Sequence, residues 1–205
     1  MSTETFTDEF PRPAGSSVHL AGIVPAITRL DRKRWDEALS LDDFIEQAAV
    51  HQDLWRSTRR LAPFSDANRD AAETITSKLS LLVLLEDWCG DAIHTVPVIQ
   101  RLVDANPLLT LRVLKRDEND DIMATHLTGA SRAIPVVMVF DADGVERGWW
   151  GPRPTPLQSW VLLEGRDMEK NDRYKAIRTW YARDRGATTT SEVLQLIRHA
   201  ATARP

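Results

Sequence analysis

The sequence predicts an α/β fold in which a mixed sheet is flanked by helices, and three observations carry that expectation. Leu81–Leu85 and Val136–Phe140 are short, continuous apolar runs, as expected of buried strands with both faces covered. Segments with helical spacing lie between them, together with a third strand-like stretch, Leu108–Leu114. Finally, Asp141-Ala142-Asp143-Gly144 has a hairpin-turn signature and returns the chain through Val145 to Trp150. The order βαβα followed by a hairpin implies a mixed sheet covered by helices.

Composition bounds the function. The chain has 205 residues, of which 42% are hydrophobic and 27% charged, with a formal net charge of −4. This length suffices for one domain, or one domain with an attached helical piece. Mild acidity argues against nucleic acid or an anionic membrane as partner. No apolar run reaches the roughly 18 residues that a membrane span needs. A single cysteine excludes a disulfide within the chain and any all-cysteine metal site in one copy. The opening Met1–Pro13 lacks the basic and apolar regions of a secretory signal, so a reducing cytoplasm is the expected compartment.

Along the chain, residues 1–39 are weakly patterned, with Pro11, Pro13, Gly15 and Pro25. A helical extension is expected over 40–79. There, Leu41, Phe44, Ile45, Ala48 and Ala49 form an apolar face that Leu54 and Trp55 continue, Ser40 serving as N-cap and Arg56, Arg59 and Arg60 suiting the far end. Pro63 stops this helix, and Ser65 caps a second one running to about Lys78. The core spans 80–163. After the first strand, residues 92–105 present Ile93, Val96, Ile99, Leu102 and Val103 on a helical face interrupted by Pro97, and a helix near 119–127 follows the second strand. A C-terminal helical extension covers 164–205. Ala176, Ile177, Trp180 and Tyr181 form its apolar stripe, Gly186 is a stop, and Thr189 with Glu192 resembles a capping box.

Chemistry concentrates at Glu86-Asp87-Trp88-Cys89-Gly90-Asp91-Ala92, which joins the first strand to the next helix. A thiol at a helix N-terminus meets free N–H groups and a dipole that favour the thiolate. Glu86, Asp87 and Asp91 push the opposite way, because neighbouring anions disfavour another. Spacing alone leaves the sign of the net shift open, and Asp91 has a competing role in capping the helix.

These residues resemble the thioredoxin family. Trp88-Cys89-Gly90-Asp91-Ala92 is similar to its active-site stretch Trp-Cys-Gly-Pro-Cys, and Pro97 matches the proline of the active-site helix. Ala133-Ile134-Pro135, 46 residues after Cys89, resembles the family's cis-proline loop, and the hairpin that follows resembles its terminal hairpin. The likeness covers about 78–163. More narrowly, Glu86–Ala92 with Val96-Pro97, Arg116–Asn119 and Trp150–Pro154 resembles a bacterial subfamily of uncharacterised thioredoxin-like proteins with helices on both sides of the core. The resemblance implies a thioredoxin-like core, Cys89 as nucleophile, and Trp88, Gly90, Asp91, Ile134 and Pro135 as the substrate-binding surface. Trp88 would shield the sulfur.

Two departures limit the activity so implied. Ala92 stands where the resolving cysteine belongs, and Val83 stands where the family carries a buried acid six residues before the first cysteine. Dithiol disulfide reduction is therefore not available. The leading expectation is a monothiol thiol–disulfide oxidoreductase, in which Cys89 attacks a disulfide-bearing protein or a low-molecular-weight thiol adduct and an external thiol resolves the product. A sulfenic-acid peroxide sensor is a weaker variant of that idea. The alternative is a non-catalytic binding module for a peptide or protein partner, with Cys89 an inert small hydrophobe.

No cofactor or metal is expected. His94 lies about 140° around a helix from Cys89, and a cluster bridging two copies, as in monothiol glutaredoxins, is disfavoured because Asp91-Ala92 replaces their Phe-Ser. His126 has no partner legible in the sequence. Strand alternation places one of Trp149 and Trp150 in the core and the other outward. Arg153, between two prolines, reads as a solvated loop residue, and Arg116–Asp121 as a solvated helix start.

Overall fold

The computed structural model describes residues 29–203. The weakly patterned prolines and glycine at 11–25 fall outside the described residues. Within the described part, a short helix α1 (Arg32–Glu37) lies inside the segment expected to be weakly structured, capped by Asp31, whose carboxylate accepts the Arg34 N–H.

The single long helix expected from Ser40 is two helices, α2 (Leu41–Gln47) and α3 (Gln52–Leu61). Ser40 caps the first as expected, its hydroxyl accepting the Asp43 N–H. The break has identifiable partners. Asp87 accepts the N–H groups of Ala49 and Val50 at 2.8 and 2.9 Å, the Gln52 side chain donates to the carbonyls of Ile45 and Glu46, and His51 turns left-handed at φ 58°. A carboxylate from a distant loop thus outcompetes continuation of the helix. Ser65 caps α4 (Asp66–Glu73), which ends short of Lys78 because Asn106 takes the carbonyls of Ala72 and Ile75.

The core follows. Strand β1 (Leu79–Leu85), helix α5 (Gly90–Asp104), strand β2 (Leu109–Lys115), helix α6 (Asp120–Thr125), strand β3 (Val136–Phe140) and strand β4 (Glu146–Trp150) build one four-stranded sheet in the order β2-β1-β3-β4. β1 pairs parallel with β2 and antiparallel with β3, and β3 pairs antiparallel with β4. This is the mixed sheet the sequence predicts. Their central position explains why β3 and, apart from the half-buried Ser80, β1 are apolar and nearly inaccessible. Helix α5 continues through Pro97.

The C-terminal part comprises α7 (Thr155–Leu163), α8 (Lys170–Asp184) and α9 (Ala187–Thr202). Gly186 separates α8 from α9 with φ 76°, pressed against α5 so closely that a Cβ there would lie 2.9 Å from a Val98 methyl. The expected capping box at Thr189 does not form: α9 begins two residues earlier, and Asp184 accepts the Thr188 N–H instead. Glu192 ties α9 to the sheet, accepting from Trp150 Nε1 at 2.7 Å and from the Thr155 N–H at 2.9 Å. Both Trp149 and Trp150 are buried, correcting the expected in–out alternation, because both faces of β4 are covered. Trp149 meets the His126 ring edge-on, while Trp150 faces α9. Among the described residues no helix is long and apolar enough to cross a membrane.

Candidate functional site

Cys89 sits between β1 and α5, in the N-cap position of that helix, with its Sγ 3.5 Å from the Ala92 N–H. The loop before it is braced from the N-terminal helices. Trp55, fully buried, donates its indole N–H to the Asp87 carbonyl at 2.8 Å, and the Asp87 side chain holds the α2–α3 break. Glu86 points away to accept the Asp117 N–H at 2.9 Å, and burial raises its pKa.

Opposite the sulfur lies the loop before β3. The Ile134–Pro135 peptide is cis, and the Cys89 thiol donates to the Ile134 carbonyl at 3.4 Å. The Gly151–Pro152 peptide after β4 is also cis. Gly151 adopts φ 138° and backs onto this loop so tightly that a Cβ would lie 2.0 Å from the Pro135 oxygen. Only glycine fits there.

The sulfur is covered. Cys89 is 6% exposed, and burial pushes its thiol pKa up to about 12, with the Asp91 carboxylate adding to the rise. The N–H groups of Ala92 and Asp91 and the Arg153 guanidinium act in the opposite sense and are outweighed. Asp91 does not cap the helix with its side chain. One oxygen accepts the Tyr181 hydroxyl at 2.9 Å, and the other pairs with Arg153 Nη2 at 2.6 Å. Arg153 is mostly buried and also donates to Gln158, so it is not the solvated loop residue expected. His94 stacks on the Tyr181 ring at 4.8 Å, and burial lowers its pKa.

The residues singled out in the sequence therefore divide. Cys89, Ile134 and Pro135 come together and are buried; Gly90 and Trp88 lie outward. Trp88 is 47% exposed and carries the Arg116 guanidinium 5.1 Å from its ring centre. Arg116 is itself held, donating to the Arg132 carbonyl and pairing with Asp117, so the solvated reading of that segment does not hold at Arg116. Ala92 and Val83, at the positions that carry a second cysteine and an acid in the resembled motif, are fully buried.

Sequence reasoning missed Tyr181 and Arg153. The available signal for Tyr181 was its place in an apolar stripe, since a buried tyrosine hydroxyl needs a partner. For Arg153 the signal was its place in the Trp150–Pro154 stretch, which does not name its partner 62 positions away.

A family model described as thioredoxin matches residues 38–176, more than half of the chain. The chain belongs to the thioredoxin family. The thioredoxin-family match begins just before α2 and runs into α8, so it takes in part of the helices on either side of the sheet. Two solved structures share the fold. One is a protein of unknown function from Pseudomonas aeruginosa, at 21% identity and a TM-score of 0.64, covering 81% of this chain and 95% of that one. The other is an HIV epitope-scaffold, at 19% identity and a TM-score of 0.64, covering 81% and 96%. A search of curated proteins returns no match.

Proposed function

We infer that this thioredoxin-family chain works as a binding module for a peptide or protein partner, with Cys89 kept as a neutral, covered thiol. One observation carries the reading: the sulfur is 6% exposed and its proton is engaged by the Ile134 carbonyl. A nucleophile needs the thiolate and access, and burial beside Asp91 opposes both. The absence of a second cysteine at Ala92 removes intramolecular release of a mixed disulfide. The surface left to a partner is Trp88 with Arg116 and Gly90, an exposed aromatic bearing a cation, which is a residue pairing favoured in protein recognition.

A second reading is supported by the same loop. Cis-Pro135 stands beside the sulfur, the Ala92 N–H points at it, and Arg153 offers positive charge. If the Tyr181–Asp91–Arg153 contacts opened, Cys89 thiolate would attack a disulfide sulfur, expelling one thiolate and forming a mixed disulfide, and a second, external thiol would release it.

The deciding experiment is the rate of Cys89 alkylation against pH in the folded protein, with Cys89→Ser as blank. The binding reading expects slow labelling with no inflection below about pH 8.5, the ordinary cysteine value. Fast labelling with an inflection well below that value would transfer the assignment to monothiol exchange.

A further inference from the structure

Titratable side chains outside the Cys89 loop lie in two places. Behind the sheet, His126 Nε2 lies 2.9 Å from Glu146 Oε1, with both side chains almost without solvent access, so that pair is closed to a ligand. The other place is open. A cavity of about 170 Å³ lies between α3, α5 and the end of α8, with apolar walls from Leu61, Pro63, Pro97 and Val98. His94, Tyr181 and Arg185 also line it. Leu61, 68% exposed, leaves the rim uncovered.

Two of these residues carry uncommitted polar groups. His94 stacks on the Tyr181 ring, but among the described residues neither its ring nitrogens nor the Arg185 guanidinium has a hydrogen bond or an ion pair. Arg185 is the one charged side chain among the lining residues. The acids nearby are engaged elsewhere: Asp184 accepts the Thr188 N–H, and Asp91 pairs with Arg153. Burial, the first cause, lowers the His94 pKa; Asp91 opposes this and Arg178 adds to it, so the ring is mostly neutral at pH 7. Arg185 ends α8 in the left-handed conformation, φ 52°, which glycine and asparagine adopt more readily. Backbone geometry therefore does not account for an arginine there.

We propose that this cavity binds a free, small carboxylate with an apolar body, of which benzoate is the simplest single-ring case. Its carboxylate pairs with Arg185, and its ring lies against Pro63, Pro97 and Val98. Charge decides the class. A guanidinium beside apolar walls matches a monoanion through paired N–H donors. A cation would be repelled, and a multiply charged anion would bring more charge than the one lining cation offsets. The volume is below that of drug-sized pockets, which sets a single ring.

The test is a titration of the full-length protein, labelled with ¹³C at histidine Cε1, with benzoate and, separately, with benzamide, which has nearly the same shape without the charge. The pH is held fixed. His94 reports occupancy, and His126 and His199, which do not line the cavity, are the references. The expected result is a saturable shift of the His94 signal at millimolar benzoate, with the references still. Benzamide should bind at least about fivefold more weakly, a modest factor because the guanidinium is exposed. Arg185→Asn, which keeps a residue suited to the left-handed backbone, should bring benzoate down to the benzamide level. Ala62→Phe, which adds a ring at a lining position, should abolish both. No saturable His94 shift, equal shifts at the reference histidines, equal affinity for benzamide, or undiminished benzoate binding in Arg185→Asn would each overturn the assignment. The benzamide comparison uses the unaltered protein and stands even if a variant does not fold.

Discussion

The Tyr181 hydroxyl donates to Asp91 Oδ1 at 2.9 Å, joining residues 90 positions apart and fastening α8 to the first turn of α5, two residues beyond Cys89. The C-terminal helices are thereby part of the site, and they hold a carboxylate whose charge adds to the burial that raises the thiol pKa. Burial and the Asp91 charge raise the Tyr181 pKa well above its usual value, so the hydroxyl remains a donor across the physiological range.

Removing that hydroxyl tests the fastening. Tyr181→Phe should cost about 1–2 kcal/mol, since it leaves a mostly buried carboxylate oxygen unpaired. If Cys89 is reached by local opening of α8, alkylation should accelerate about 5–30-fold for the same free energy. Thermal unfolding and alkylation kinetics read the two effects separately. Unchanged alkylation with lowered stability would mean that α8 does not gate the sulfur.

Asp91→Asn tests the electrostatics. Burial is the first cause of the raised thiol pKa and the Asp91 charge the second, so the variant's thiol pKa should fall from about 12 yet stay above the ordinary value of about 8.5. Arg153, left without its carboxylate, adds to the fall. Thiolate absorbance against pH measures it. A thiol pKa that does not move would place the Asp91 charge too far from the sulfur to matter.

Gly151→Ala should be among the most damaging single changes. The added Cβ meets the Pro135 oxygen at 2.0 Å, and φ 138° is unfavourable for any L side chain. A loss of more than about 3 kcal/mol is expected, read as a lowered denaturant midpoint or loss of the folded protein. Near-normal stability would show that the two loops separate at little cost.

The His126–Glu146 pair predicts a pH effect. The folded pKa of His126 is raised above 6.5, so its stabilisation is fully present below the unfolded value of about 6.5 and is lost as pH rises through the folded value. His94 runs the other way, because burial lowers its pKa. The informative quantity is therefore the difference between wild type and Glu146→Gln, whose His94 is untouched. That difference should shrink as pH rises above about 6.5 in urea unfolding. A difference independent of pH would mean that His126 is not protonated by the pair.

Asp87 joins the N-terminal helices to the loop before Cys89 through two N–H groups of the α2–α3 break. Asp87→Ala should cost about 1.5–3 kcal/mol, the worth of hydrogen bonds to a charged acceptor, and raise amide exchange at Ala49 and Val50. Exchange unaltered at those two amides would show that the break is held by Gln52 alone.

The sequence by itself determined the sheet, because β1 and β3 lie at its centre and are covered on both faces. That environment favours apolar residues, as in Leu81–Leu85 and Val136–Phe140, and leaves a run legible without any partner. Ser40, Ser65 and the Asp141–Gly144 turn were equally readable, since a cap or a tight turn is local chemistry. The motif around Cys89 and the proline 46 residues later placed the thiol at a strand-to-helix junction facing Ile134-Pro135. Only the tertiary structure decided what the thiol experiences. The sign of its pKa shift depends on burial and on the Asp91 charge, and Tyr181 and Arg153 hold the Asp91 carboxylate from distant parts of the chain. The same holds behind the sheet. Phe140 pairs with Glu146 and Val139 with Gly148, a bulge that skips Arg147 and turns Glu146 onto the face of Met138 and Trp149, where His126 awaits it. A strand read with a period of two cannot register that extra residue, and one residue of slip exchanges the faces of a strand.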